Sequence, residues 1–161
     1  MKSFLITMMS VALFFLSGCA TKKPITHSEP YLISVKNKSI ALSDTGFINY
    51  GDRYTNVQIF SAGNVLFNLE IVDNSICLDG QCLDKQGFNE RFFQTKHYPE
   101  LMENILSQSP IYNGLALQKT PMGFEQTITL EAAHIRYSVE DKSVLFKDSL
   151  NGILIRLKPL P

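Results

Sequence analysis

Two of the three cysteines, Cys77 and Cys82, are spaced for a disulfide across a tight hairpin. The Asp79-Gly80 pair between them is typical of a two-residue type I′ turn, which would make the two cysteines cross-strand neighbours. Such a pair is not hydrogen-bonded and has Cα atoms about 4.5 Å apart, near the lower end of the disulfide range. In an exported protein, which meets an oxidising environment, we therefore predict a Cys77–Cys82 disulfide.

Other chemistry suits this cysteine pair less well. A thioredoxin-like redox site has two residues between its cysteines, whereas Cys77 and Cys82 are separated by four residues, with no βαβ pattern around them. A zinc site would need two more ligands, and the nearest histidine is His97. Reduced thiols remain the alternative to the disulfide. We predict no metal site.

The other residue types that catalyse reactions are scattered along the chain. Histidines occur at positions 27, 97 and 134, and none belongs to a ligand motif. Ser61-Ala62-Gly63 lacks the glycine that precedes the serine of a hydrolase elbow. The sequence has no glycine-rich phosphate loop, although two of its dispersed carboxylates could still meet in space as a glycosidase pair. We therefore predict a protein that is not an enzyme, with an unrecognised envelope enzyme as the least favoured alternative.

The beginning of the chain has the pattern of an export signal. Lys2 precedes an apolar stretch over residues 4–16, which Ser17-Gly18-Cys19 follows. As a helix, the thirteen residues of this stretch would span about 20 Å, short of the roughly 30 Å hydrocarbon core of a membrane. We expect residues 1–18 to be a signal peptide that is removed.

The end of that signal, Leu16-Ser17-Gly18-Cys19, resembles the bacterial lipobox, where a cysteine thiolate receives a diacylglyceryl group before cleavage. The resemblance implies that Cys19 is lipidated and begins the mature chain, and we expect no cofactor besides this covalent lipid. An ordinary secreted protein with a chance cysteine is the alternative. Ala20 stands where aspartate retains enterobacterial lipoproteins in the inner membrane, so the resemblance implies an outer-membrane anchor and a domain that faces the periplasm.

Composition indicates one exported globular domain behind a linker. Fifteen basic and fifteen acidic residues balance, so we expect no nucleic-acid partner, and 45% hydrophobic residues are too many for a disordered chain. Residues 19–30 contain the cysteine followed by ATKKPITHSEP, whose prolines and lysines have no apolar periodicity. This predicts a flexible tether over 19–30 and a globular domain over 31–161.

The pattern of residues 31–161 predicts a mainly β domain with an inserted α-helix. Strand-like runs occur at 31–36, 56–60, 64–72, 124–130, 134–139, 143–147 and 152–158, with a short hairpin over 75–84. Pro99 predicts the start of a helix that Pro110 ends, and residues 87–94 predict a shorter helical turn. We expect a curved antiparallel sheet or incomplete β-barrel, although a sandwich fits the same pattern.

This order of hairpins, helix and meander resembles the LolA/LolB group, periplasmic carriers with an incomplete β-barrel and helices that plug its mouth. LolB is itself an outer-membrane lipoprotein, in agreement with the lipobox pattern. The resemblance implies an apolar cavity that holds acyl chains or lipidated proteins. The alternative is a structural or assembly lipoprotein that binds another cell-envelope protein through a sheet edge or surface patch.

Two apolar stripes are the predicted lining of such a cavity. One follows a strand, where alternate residues share a face, and the other follows the helix after Pro99. Ordinary core packing would bury the same stripes, so the sequence alone does not separate the two arrangements. The predicted lining residues are Val65, Phe67, Leu69, Ile71, Leu101, Met102, Ile105 and Leu106.

Overall fold

A computed structural model of the protein describes residues 25–161, which form one antiparallel sheet of eleven strands and two short helices. In chain order the strands are β1 Ile25–Lys36, β2 Ala41–Gly51, β3 Tyr54–Ser61, β4 Asn64–Val72, β5 Ser75–Leu78, β6 Gln81–Asp84, β7 Leu117–Thr120, β8 Gly123–Leu130, β9 Ala133–Glu140, β10 Ser143–Asp148 and β11 Ile153–Pro159. Helices α1 Lys85–Phe93 and α2 Leu101–Leu106, followed by a 3-10 turn at Tyr112–Gly114, lie between β6 and β7.

The first and last strands meet in the middle of the sheet. The spatial order is β6-β5-β4-β3-β2-β1-β11-β10-β9-β8-β7, and β1 pairs with β11 from Tyr31↔Pro159 to Lys36↔Leu154. The chain therefore builds two meanders that the β1–β11 pair joins, and the sheet is open at β6 and β7. The predicted fold class, a curved antiparallel sheet with an inserted helical segment, is confirmed, and the alternative of a sandwich is wrong.

Strand β1 begins earlier than the sequence predicts. The tether was expected to extend to Pro30, but Ile25 already pairs with Gly51, and Pro30 pairs with Phe47. The Pro30 carbonyl accepts a 3.1 Å hydrogen bond from the Leu160 amide, so it points toward the β11 side of β1. The nitrogen and the carbonyl of one strand residue point to the same side, so the proline nitrogen, which has no hydrogen to donate, also faces away from β2. Proline is tolerated here because no β1–β2 hydrogen bond is lost. Pairing with β2 thus places residues 25–30 in the sheet.

The helices cover the inner face of the sheet, and the core lies between them. Asp84 caps α1 by accepting a 2.6 Å hydrogen bond from the Gly87 amide. Lys85, nearly buried, forms a 2.5 Å ion pair with Glu103 and so links α1 to α2. The segment expected as a short helical turn within 87–94 is the longer helix, because the buried side chains of Phe88, Phe92 and Phe93 anchor it to the core.

A β-bulge reverses the orientation of Val65. Along β3 and β4, Ile59 pairs with Phe67, but the next residue, Phe60, pairs with Val65, so Leu66 is an extra residue. One extra residue shifts the side-chain alternation by one position. The prediction that Val65 shares a face with Phe67 is therefore wrong: 46% of Val65 is exposed, on the outer face.

Candidate functional site

Seven of the eight predicted lining residues lie together between the sheet and the helices. Their shared property is burial on the inner face, with at most 3% of each residue exposed. They are Phe67, Leu69, Ile71, Leu101, Met102, Ile105 and Leu106. The strand stripe and the helix stripe therefore face the same apolar interior, and Val65 is not part of it.

The interior between these stripes is nearly filled. A small apolar gap of about 20 Å³ is lined by Ile33, Phe67, Leu69, Phe92 and Met102, among others. A cavity of roughly 10–15 Å³ holds one water molecule, so this gap has no room for an acyl chain unless the helices or side chains move. We call it the interior gap.

A much larger depression opens beside the interior gap. It has a volume of about 390 Å³, within the usual range for small-molecule pockets. The β1–β2 loop, the β5–β6 hairpin and helix α1 surround it, and we call it the mouth. Its lining residues are Asn37, Ser39, Ile40, Leu78, Asp79, Gln81, Cys82, Leu83, Phe88, Arg91 and Phe92.

Phe92 lines both the mouth and the interior gap. Its ring stacks on Phe88 at 5.5 Å between centroids and meets Phe93 edge-on at 5.0 Å. The Asn37 side chain donates a 3.2 Å hydrogen bond to the Phe92 carbonyl, which attaches the β1–β2 loop to this turn of α1. Phe92 is thus the side chain that separates an open apolar depression from an apolar interior.

One cysteine of the cross-strand pair, Cys82, lies in the wall of the mouth. Cys77 and Cys82 are cross-strand partners in β5 and β6, with sulfurs 2.00 Å apart and Cα atoms 3.9 Å apart. Asp79 and Gly80 both have positive φ, as a type I′ turn requires. The Asp79 carboxylate also accepts a 3.0 Å hydrogen bond from the Asn68 amide, so the hairpin tip is held against β4.

A buried polar group lies under the connection between α2 and β7. The His97 Nδ1 atom hydrogen-bonds the Tyr112 hydroxyl, and the Tyr98 hydroxyl accepts a 3.3 Å hydrogen bond from the Tyr112 amide. Burial lowers the pKa of His97, and the opposing influence of the Asp148 carboxylate is smaller. His97 Nε2 is buried and has no hydrogen-bond partner among the described residues, so this imidazole suits the neutral form.

A charged cluster stabilises the first half of β1, at the end of this strand that is distant from the mouth. The Glu29 carboxylate accepts hydrogen bonds from Lys142 at 2.8 Å and from the Tyr31 hydroxyl at 2.8 Å, and His27 lies 3.0 Å away. The Lys142 hydrogen bond, followed by those of His27 and Tyr31, lowers the pKa of Glu29 to about 2. This carboxylate therefore stays ionised at neutral pH and joins β1 to the β9–β10 turn, which is a structural role.

Exposed apolar side chains gather on the outer face near the β3–β4 turn. Phe47 and Phe60 meet edge-on with ring centroids 6.0 Å apart, and the bulge turns Val65 to the same face. Phe47 is 44% exposed and Leu66 is 50% exposed. We call Phe47, Phe60, Val65 and Leu66 the outer patch.

The mouth could not be predicted from the sequence because its residues come from three separate segments. The β1–β2 loop, the β5–β6 hairpin and α1 are brought together only by the sheet. One local signal was present: Phe88 and Phe92 are four residues apart and follow Asp84, a good helix N-cap. That spacing indicates an apolar stripe on a second helix.

Three further findings bear on this site. Cys19, the predicted lipidated residue, lies outside the described residues. Within residues 25–161, no group of three or more histidine, cysteine, aspartate or glutamate side chains could hold a metal ion, and no helix has the length and apolarity to cross a membrane. In comparisons with known proteins, no family model and no curated protein matches this chain.

Proposed function

We propose that this protein is a lipoprotein of the outer membrane, anchored through Cys19, whose periplasmic domain binds acyl chains or lipidated proteins without catalysing a reaction. The lipobox pattern at Leu16-Ser17-Gly18-Cys19 supports the lipid anchor and the location at the membrane. An open curved sheet with helices on its inner face supports the binding role, because it resembles the architecture of the LolA/LolB carriers.

The observation that carries the binding role is the position of Phe92. A rotation of this one side chain away from the core would join the mouth to the interior gap. The interior gap would then widen as α2, only six residues long, shifts outward. An acyl chain would enter between Phe67 and Met102. The apolar contacts that these side chains make with each other would be replaced by apolar contacts with the chain. Burial of each methylene group stabilises the complex by about 0.8 kcal/mol.

The mouth lies near the end of β1 that is distant from Ile25, and the proposed anchor precedes Ile25 in the chain. The β1–β2 loop, which borders the mouth, is separated from Ile25 by a twelve-residue strand, roughly 40 Å long. The six residues from Cys19 to Pro24 extend at most about 21 Å. The mouth would therefore face away from the protein's own membrane and receive its ligand from the periplasmic side.

Native mass spectrometry of residues 20–161, exported without the lipid anchor, tests this proposal. We expect an additional mass that is released as fatty acid or phospholipid. Phe92→Ala should increase the bound fraction severalfold, because it removes the barrier, and Phe92→Trp should decrease it. Phe60→Ala, an aromatic truncation on the outer patch, is the matched control and should leave binding unchanged. A protein that stays free of lipid in all four forms, also after incubation with palmitate, would contradict the binding role.

The outer patch supports a second candidate, a structural lipoprotein that binds another envelope protein. Four apolar side chains on one exposed surface are typical of interaction sites. A photo-crosslinking residue in place of Leu66 should then capture a specific envelope protein in cells, whereas the same residue in place of exposed Glu131 should not. Equal capture at both positions, or none, would exclude the outer patch as the interface.

A further inference from the structure

We propose that the outer face of the sheet contains a binding site for a neutral saccharide, separate from the mouth. The site is a groove of about 440 Å³ across β2, β3 and β4, beside the start of β1. It lies on the face opposite to the helices, because its strand residues alternate with the core residues. The lining residues are Ile25, Asn49, Tyr54, Asn56, Gln58, Glu70 and Val72.

A ladder of amides forms the floor of the groove. The Ser28 hydroxyl donates to Asn49 Oδ1 at 2.7 Å, Asn49 Nδ2 donates to Asn56 Oδ1 at 2.9 Å, and Asn56 Nδ2 donates to Asn68 Oδ1 at 2.8 Å. Asn49 is 7% exposed and Asn56 is 3% exposed, so both amides are fixed before any ligand binds. Pre-organised polar groups bind a ligand with less loss of conformational entropy than mobile ones.

Above this floor, two planar polar side chains remain open to a ligand. Gln58 has no side-chain hydrogen bond among the described residues and can both donate and accept. Glu70 accepts a 3.2 Å hydrogen bond from the Tyr54 hydroxyl through Oε1, which leaves Oε2 to accept from a ligand. Planar amides and carboxylates can bind adjacent hydroxyl groups of a sugar, each of which donates and accepts.

The charge of the groove selects against anions. Among residues 25–161, its lining includes Glu70 but no lysine or arginine. The nearby Arg53 is paired with Asp73 at 3.7 Å. Phosphates and fatty-acid headgroups would find no cationic side chain among the described lining residues, whereas the mouth offers Arg91. A neutral polyhydroxyl ligand meets donors and acceptors without a charge penalty.

Apolar surface at one end of the groove suits the C–H faces of sugar rings. Ile25, Val72 and the half-buried ring of Tyr54 supply it. The volume of the groove falls within the range that holds small ligands. Fixed amides, open planar acceptors, one apolar end and the absence of lysine and arginine from the described lining together favour a saccharide of a few residues.

Titration of the ¹⁵N-labelled protein, produced from its full sequence and purified in a detergent without a sugar headgroup, tests the proposal. Chitotetraose and cellotetraose are the probes. We expect at least one of them to shift the side-chain amide signals of Asn56 and Gln58 at millimolar concentration or below. Chitotetraose alone would show that acetamido groups are recognised.

Substitutions separate a binding site from a structural ladder. Gln58→Ala should weaken binding at least fivefold while the protein unfolds at an unchanged urea concentration, because the Gln58 side chain has no hydrogen bond to lose among residues 25–161. Gln118→Ala on exposed β7 is the matched control and should leave binding unchanged. Because the groove lies on the opposite face, Phe92→Ala should also have no effect on saccharide affinity, which separates this proposal from the acyl-binding role.

Three results would overturn the proposal. The first is the absence of any shift with 10 mM of either saccharide. The second is a set of shifts confined to residues outside the groove. The third is tighter binding of tetralysine than of either sugar, which would indicate a cationic peptide as the ligand of Glu70.

Discussion

Burial of His97 lowers the pKa of its imidazole and so disfavours protonation of the ring. Its ring meets Phe93 edge-on with centroids 5.2 Å apart, and only Nδ1 has a hydrogen-bond partner, the Tyr112 hydroxyl. Because the pKa of His97 in the folded protein lies below its ordinary value of 6.5, the unfolded chain takes up this proton first as the pH falls. The stabilisation from neutral His97 is therefore present above about pH 6.5 and lost below it.

Substitution of His97 should accordingly flatten the pH profile of stability. We expect His97→Gln to lower the free energy of unfolding at pH 7 by about 1 kcal/mol, because ring contacts are lost, and to lose less further stability than the wild type between pH 7 and pH 5. Urea unfolding at both pH values measures this. His134→Gln, at an exposed position, is the control for the substitution. Parallel profiles for His97→Gln and the wild type would contradict the prediction.

At the scale of elements, the bulge between β3 and β4 decides which side chains of β4 contribute to the core. Phe67 lies on the inner side of the bulge and is 3% exposed, whereas Val65 lies beyond it and is 46% exposed. Strict alternation along residues 64–72 would have treated the two as equivalent. The bulge therefore assigns Phe67 to the interior and Val65 to the outer patch.

Truncation of these two residues should lower the free energy of unfolding by very different amounts. We expect Phe67→Ala to lower the free energy of unfolding by about 3–5 kcal/mol, because it leaves a cavity in the core. Val65→Ala should change it by less than about 0.5 kcal/mol, as is usual for exposed positions. Chemical denaturation of both variants tests the difference, and similar losses would mean that the β3–β4 register lacks the bulge.

The β5–β6 hairpin is short and largely exposed, so the cysteine pair should contribute much of its order. Every residue of β6 is exposed, and β6 is the edge of the sheet. A disulfide that closes a loop with a sequence separation of five restricts the unfolded chain modestly.

The double variant Cys77→Ala/Cys82→Ala should lower the free energy of unfolding by about 2 kcal/mol, because the loop is short. Denaturation with and without dithiothreitol measures the loss. Reductant should produce a similar loss in the wild type and none in the double variant. Equal stability of the oxidised wild type and the double variant would show that the bond is not formed or not stabilising.

At the scale of the molecule, the β1–β11 pair holds the sheet together. It joins a six-strand meander to a five-strand meander, and both strands have neighbours on two sides. Tyr31, Ile33, Ile155 and Leu157 in this pair are at most 3% exposed. The outermost strands β6 and β7 have one neighbour each and mostly exposed side chains.

Amide hydrogen exchange should follow this arrangement. We expect the slowest exchange in β1, β11 and the adjoining strands, where opening requires disruption of the core, and the fastest exchange among strands in β6 and β7. Exchange followed by NMR at pH 7 resolves the strands individually. Equal protection of β7 and β11 would contradict the idea that the centre of the sheet is its most stable part.

Much of this architecture could be predicted because its signals are local. The alternation of Ile135, Tyr137 and Val139, the Asp79-Gly80 turn and the two prolines around α2 each constrain only neighbouring residues, and the structure contains the corresponding strand, turn and helix. The same holds for the inner stripes on β4 and α2. Burial on one face is encoded in the period of two or of 3.6 along the element itself.

The features that escaped prediction depend on distant partners. Residues 25–30 are mostly polar and contain Pro30, yet they pair with β2 in the sheet, and the bulge that exposes Val65 arises from its pairing with Phe60. Tertiary pairing overrides local propensity in both places.

The sequence by itself determined the mainly β class, the apolar stripes and the lipobox-like beginning, because these are patterns of contiguous residues. Only the tertiary structure decided that the first and last strands pair, that Phe92 separates the mouth from the interior gap, and that three asparagines form a ladder on the outer face. Each of these joins residues from different strands, loops or helices. Such contacts follow from strand order and register, which no local pattern specifies.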